Sequence, residues 1–184
     1  MRRIVVFCFV AVTMAHAQSE HSEVTFSGGT AIQFNVPLSE TATPVSLGGT
    51  YSYRLFRHLA LEAGVLTAIH PAGVIHQDAY AFYPKDLFTW VQFGPRAILP
   101  VWEGRLELSA GAGGTYENYS AGKDTFGYLF PRSGWGGNFS VGAAVALDHG
   151  RHFWLGTTPR WILVNAGAAH DRWFVAGGEF SFRF

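Results

Sequence analysis

The sequence predicts an all-β chain: an eight-stranded antiparallel up-and-down barrel that crosses a membrane with its strands. Three observations lead there. Period-2 alternation recurs in about eight stretches while helical periodicity is poor throughout, the connections alternate between short and long, and one face of the alternation is bulky and apolar while the other is small or charged.

The first seventeen residues are set apart from this pattern. Arg2 and Arg3 precede the apolar run Ile4 to Val12, and Ala15-His16-Ala17 follows with the small-x-small spacing of a signal-peptidase site. The run is nine residues, well short of the roughly 20 that a membrane-spanning helix needs. Residues 1–17 therefore read as a cleaved export signal and 18–184 as a single barrel domain. Cys8, the only cysteine, falls inside the leader. The remaining chain has no disulfide or thiolate site, so backbone pairing and packing must hold it together. Losing Arg2 and Arg3 leaves 11 basic against 13 acidic residues, a balance that speaks against nucleic-acid binding.

The alternation places strands near Val24–Val36, Val45–Leu55, Leu59–Ile69, Leu87–Leu99, Arg105–Glu117, Trp135–Asp148, His152–Val164 and Trp173–Phe184. Each is about the length of a tilted transmembrane strand, ~10–13 residues. Connections after the even strands are short: Phe56-Arg57-His58, Pro100 to Gly104, and His149-Gly150-Arg151. Those after odd strands are expected to be longer, and Pro71 to Asp86 and Asn118 to Gly134 are rich in Gly, Pro, Tyr and charge. Short turns at one end and watery loops at the other describe periplasmic turns and extracellular loops.

The two faces argue for lipid outside. On the last strand Phe174, Ala176, Gly178, Phe180, Phe182 and Phe184 oppose Trp173, Val175, Gly177, Glu179, Ser181 and Arg183. A soluble lipocalin-like barrel or β-sandwich would bury the bulky set, and the polar set is too small and glycine-rich to cover a soluble exterior. It suits a narrow lumen instead. Phe88, Trp90, Tyr116, Trp135, Trp161 and Phe174 are expected in an outer aromatic belt, with Tyr51, Tyr53, Phe153, Phe180, Phe182 and Phe184 in an inner one.

The same alternation puts Arg54, Glu62, Arg96, Arg105, Glu107, Arg160, Glu179 and Arg183 in the lumen, all but Arg160 toward the periplasmic end. Unpaired charges in so narrow a space are costly, so a connected ion-pair network that plugs the pore is expected. Ser27, Gly29, Ser46, Gly48, Asn138 and Ser140 would leave room above it.

Over essentially its whole length beyond the leader, the chain resembles the small eight-stranded outer-membrane barrels typified by outer-membrane proteins A and X. The most specific part is the ending Gly177-Gly178-Glu179-Phe180-Ser181-Phe182-Arg183-Phe184, which looks like the terminal strand read by the outer-membrane assembly machinery. Gly177, Phe180, Phe182 and Phe184 would carry that signal. The resemblance implies an N-terminus in the periplasm, outer-membrane lipids as surroundings, no obligatory cofactor and a lumen too narrow for general solute passage. It does not imply one activity, because this scaffold hosts adhesion proteins, anchors and lipid-modifying enzymes.

The enzymatic alternative is a lipid A-modifying, acyltransferase-like barrel. The deacylase type would show a His-x-Ser pair on a strand, and none is present: His58 precedes Leu59-Ala60, His152 precedes Phe153-Trp154, and His21-Ser22 lies before the first strand. The palmitoyltransferase type uses prolines to open the wall, and Pro95 and Pro159 stand inside strand patterns. Each removes a ladder donor, which implies a bulge, a bend or a gap for lipid entry. His70, His76 and Asp78 are too irregularly spaced to predict a metal site, and Ser133 and His170 show no nucleophile–base spacing. The expectation is a non-enzymatic outer-membrane barrel with no catalytic residues, metal or cofactor. Its extracellular loops would serve interaction with a ligand or envelope maintenance.

Overall fold

Because strand side chains alternate, every strand of this chain is a two-faced ribbon, and the ribbons pair in sequence until the last meets the first. The computed structural model describes residues 21–34, 44–70, 73–75, 81–83, 86–120, 132–166 and 169–184. The expected leader, residues 1–17, lies outside the described residues, as do His76 and Asp78.

The strands are β1 (Ser22–Gln33), β2 (Val45–Phe56), β3 (Leu59–His70), β4 (Gly73–Ile75), β5 (Ala81–Tyr83), β6 (Asp86–Val101), β7 (Leu106–Ser120), β8 (Arg132–Ala146), β9 (Phe153–Thr157), β10 (Arg160–Ala166) and β11 (Ala169–Arg183). All pairings are antiparallel, in the order β1-β2-β3-β6-β7-β8-β10-β11. β11 then pairs with β1 from Glu23↔Arg183 to Gln33↔Trp173. β9 occupies the same place in the ring as β10, between β8 and β11, so the wall is an eight-stranded closed barrel, and closure removes the open edges. The small pair β4–β5 stands apart between β3 and β6. No helix among the described residues is long and apolar enough to cross a membrane, which says nothing about strands.

Closure demands a close approach at one point. A Cβ on Gly29 would lie 2.1 Å from the Ala176 carbonyl oxygen, and one on Gly177 equally close to that of Gly28. Only glycine lets the first and last strands meet there.

The exterior is apolar. Phe26, Leu47, Val65, Phe93, Leu108, Phe139, Leu155, Leu163 and Phe180 all point outward and are exposed, Phe26 to 64%. Rings pair along this surface: Tyr116 with Trp135, Trp161 with Phe139 and Phe174, and Phe153 with Phe180 and Phe182. Such a surface on every side suits hydrocarbon rather than water.

Pro95 and Pro159 interrupt a ladder without shifting it. Between β6 and β7 the pairing runs to Phe93↔Gly114 and resumes at Arg96↔Gly111, three residues on along each strand. Opposite Pro95, β3 stays paired throughout. Thr158 and Pro159 separate β9 from β10, yet both keep one register against β8 and β11. Of the bulge, bend or gap that the prolines imply, the ladder shows a local gap, because a missing N–H deletes one bond and leaves the pleat intact.

The end connections differ from expectation in one place. β10 and β11 run on to Ala166 and from Ala169, so only two residues join them and the last connection is short rather than long. At the opposite end, the turns after β2, β6 and β8 are short, as their sequences imply.

Candidate functional site: a lumen filled at two levels

Seven charged side chains on seven strands meet in the half of the lumen nearest the short turns. β11 supplies Arg183, whose guanidinium forms a two-bond fork on Glu107 of β7 at 3.1 and 2.6 Å, while its Nε donates to Glu23 of β1. Arg54 of β2 donates to the same Glu107 at 2.7 Å and lies 3.8 Å from Glu23. Arg96 of β6 donates to Glu23 at 2.7 Å and stands 3.5 Å from Glu62 of β3. Arg160 of β10 donates to Glu62 at 2.8 Å and to the Gln92 amide oxygen at 2.7 Å. The result is a continuous chain from Arg160 at mid-barrel to Arg54 at the turn end, with cations and carboxylates alternating. Trp154 lies under Arg183, 3.8 Å from the guanidinium carbon to the ring centroid, which adds a cation–π contact.

Two expected members stand differently. Glu179 is in the lumen but accepts a 2.7 Å bond from the Thr158 hydroxyl, and it makes no ion pair among the described residues. Arg105 is a correction: it is exposed and joins no ion pair among the described residues. It ends the 3-10 turn Trp102–Gly104 in a helical backbone conformation, its N–H bonded to the Trp102 carbonyl. Strand alternation starts only at Leu106, so the inward parity extrapolated from Glu107 does not reach it. Glu23 lies one residue before the strand start predicted at Val24, whereas β1 begins at Ser22. Extending the parity of Thr25, Ser27 and Gly29 back by one step finds it.

The other half of the lumen is a second correction. Phe88 and Trp90, expected in the outer aromatic belt, point inward and are buried. They share parity with Gln92 and Arg96, and because Pro95 leaves the register unbroken, one face carries all four. With Tyr119 and Trp173 they form a cluster of tilted and edge-on rings, Phe88 lying 4.6 Å from Tyr119 and 4.5 Å from Trp173, and Trp90 5.2 Å from Trp173. Leu66, Ile162, Val164 and Val175 complete it. Trp90 Nε1 donates to the buried Glu117 at 2.7 Å, and Gln33 to Asp171 at 3.0 Å. The room expected beside Ser27, Ser46, Asn138 and Ser140 shrinks to two cavities of about 20 and 10 Å³, space for about one water each.

The terminal-strand residues are divided by face. Gly177 looks inward at the closure point, whereas Phe180 and Phe182 point outward and stack along the wall toward Phe184. Among the described residues no group of three His, Cys, Asp or Glu is placed to hold a metal.

No protein-family model matches the chain, and no curated protein does. Solved structures do. Neisserial surface protein A superposes with a TM-score of 0.66 at 11% identity, covering 90% of this chain and 98% of that one. The N-terminal β-barrel domain of Pseudomonas aeruginosa OprF gives 0.53 at 12%, covering 87% and 97%. Outer membrane protein AlkL, solved in DMPC lipid bilayers, gives 0.53 at 15%, covering 92% and 93%. At these identities the likeness is one of fold: the chain has the architecture of the small eight-stranded outer-membrane barrels.

Proposed function

We propose that this chain is a closed, non-enzymatic barrel of a bacterial outer membrane, which anchors a loop-bearing end for interaction or envelope maintenance. The observation that carries the reading is the doubly filled lumen, an ion-pair chain below and an aromatic cluster above, with cavities of about 20 and 10 Å³ near mid-barrel. Eight strands enclose an interior just wide enough for side chains, and here side chains occupy it. The apolar exterior supports lipid as its surroundings, and the fold shared with outer-membrane barrels supports that membrane. Residues 1–17 would serve as the export signal. Gly177, Phe180, Phe182 and Phe184 would present the terminal strand to the assembly machinery.

Recording in planar bilayers tests closure. The purified barrel is expected to leave the membrane without steady conductance, and large stable channels would overturn the reading.

A second reading draws on the gaps at Pro95 and Pro159. Both adjoin mid-lumen cavities that reach Arg160, so a lipid group entering the wall there would meet the Arg160 guanidinium and a carboxylate, the polar side chains a lipid A-modifying activity would have to use. Mass spectrometry of lipid A from cells expressing the protein separates the two. An unchanged spectrum is expected, and an added or missing acyl chain would favour the enzyme.

A further inference from the structure

We infer that the axial cavity at the turn end of the barrel is a binding site for a small phosphate-type anion. It has a volume of about 450 Å³, within the range of sites that hold small molecules. Its floor is the end of the ion-pair chain, Arg54, Glu107 and Arg183 over Trp154. Those charges are already matched, since Arg54 and Arg183 share Glu107 and both approach Glu23. The walls are not matched. Arg57 comes from the β2–β3 turn and His149, Arg151 and His152 from the β8–β9 turn, against Glu103 alone from the β6–β7 turn. Asp148 behind them is engaged by His152 Nδ1 at 3.1 Å and by the Phe153 N–H at 2.9 Å.

The backbone singles out the same place. Among the described residues, all four with left-handed φ sit in two of these turns: Trp102 (47°), Glu103 (54°), Gly104 (76°) and Arg151 (59°). Three of them carry side chains for which that conformation is unfavourable, and strain of this kind concentrates at functional sites. Gly104 serves Arg151 directly. A Cβ there would lie 2.8 Å from Arg151 Nη1, so glycine lets the guanidinium rest against the facing turn at the cavity wall. Two wall arginines beside two imidazoles supply planar donors and excess positive charge, the chemistry that recognises phosphate. The same charges disfavour a metal ion. The site does not depend on whether the lumen conducts.

The test is calorimetric titration of pyrophosphate into the full folded barrel in a zwitterionic detergent. Saturable binding is expected, weakened by about tenfold or more in Arg57→Gln and in Arg151→Asn, the loss of one charge-assisted contact. Asparagine tolerates the left-handed conformation at 151, and heat-modifiable gel migration verifies that both variants fold. A flat wild-type titration, or undiminished binding in both variants, overturns the site. Repeating the titration in nanodiscs of phosphatidylcholine with and without phosphatidylglycerol identifies the source of the phosphate. Weaker pyrophosphate binding with phosphatidylglycerol present points to a lipid headgroup, and equal binding to a soluble anion; either supports the site.

Discussion

The two halves of the lumen fill the same narrow space by opposite means. Toward the turns, Glu23, Glu62 and Glu107 knit Arg54, Arg96, Arg160 and Arg183 into one chain, where each charge is tolerable only because its partner is present. Toward the loops, Phe88, Trp90, Tyr119 and Trp173 fill the bore mainly by contact area, with Trp90 also bonded to the buried Glu117. The ionic half should fail abruptly when one member is removed, because a charge is then stranded. The aromatic half should fail in proportion to the volume lost.

The largest effect is expected at Glu23, which touches three arginines and is buried. Glu23→Ala leaves four buried guanidiniums facing only Glu62 and Glu107 and should lower folding stability by ~3–5 kcal/mol, read from urea titration of the barrel in lipid vesicles. A loss no larger than that of a surface variant would mean that the ionic half is hydrated and uncoupled. Trp173→Ala should follow at about 3 kcal/mol, the low end for a large aromatic removed from a packed core. Its conductance in planar bilayers should stay at the wild-type level, since the ionic half still closes the bore. New channels in this variant would show that the aromatic half is the true seal.

A smaller effect belongs to Asp148, outside both halves in the β8–β9 turn. Hydrogen bonds from the Phe153 and His152 backbone hold its carboxyl below the ordinary carboxylate range. A depressed carboxylate pKa contributes stability above the unfolded value, about 3.9, and loses it as pH falls through the folded value. The difference in urea midpoint between wild type and Asp148→Asn should therefore be fully present above about pH 5, shrink as pH falls below the unfolded value, and vanish only once pH has fallen through the folded value. A difference that persisted there would reassign the effect to the turn backbone. Smallest of all is Arg105→Ala, expected within ~0.5 kcal/mol of wild type because the side chain is exposed. A larger loss would put Arg105 back in the network.

Most of the barrel was legible because its signals are local. Alternation, turn composition and the positions of Pro95 and Pro159 are each read within a dozen residues, and the eight wall positions followed from them. The lumen charges were legible through parity, which failed where regular strand geometry stopped: at Arg105, held in a helical turn, and at Glu23, one residue beyond the assumed strand start. Phe88 and Trp90 depart from the expected outer belt for a different reason. An aromatic near a strand end suits a membrane belt, and composition alone does not distinguish that from a lumen plug.

The sequence by itself determined which residues share a face and which face is too bulky for water, since period-2 geometry and side-chain size are properties of the chain. Only the tertiary structure decided which charges meet. Glu23 and Arg183 stand at opposite ends of the described chain and become partners when β11 closes on β1. Ring closure and register also decided that Phe88 and Trp90 face Trp173 across the bore rather than lipid, and that the three turns enclose a cationic cavity. Those are relations between distant strands, and they exist only once the barrel is shut.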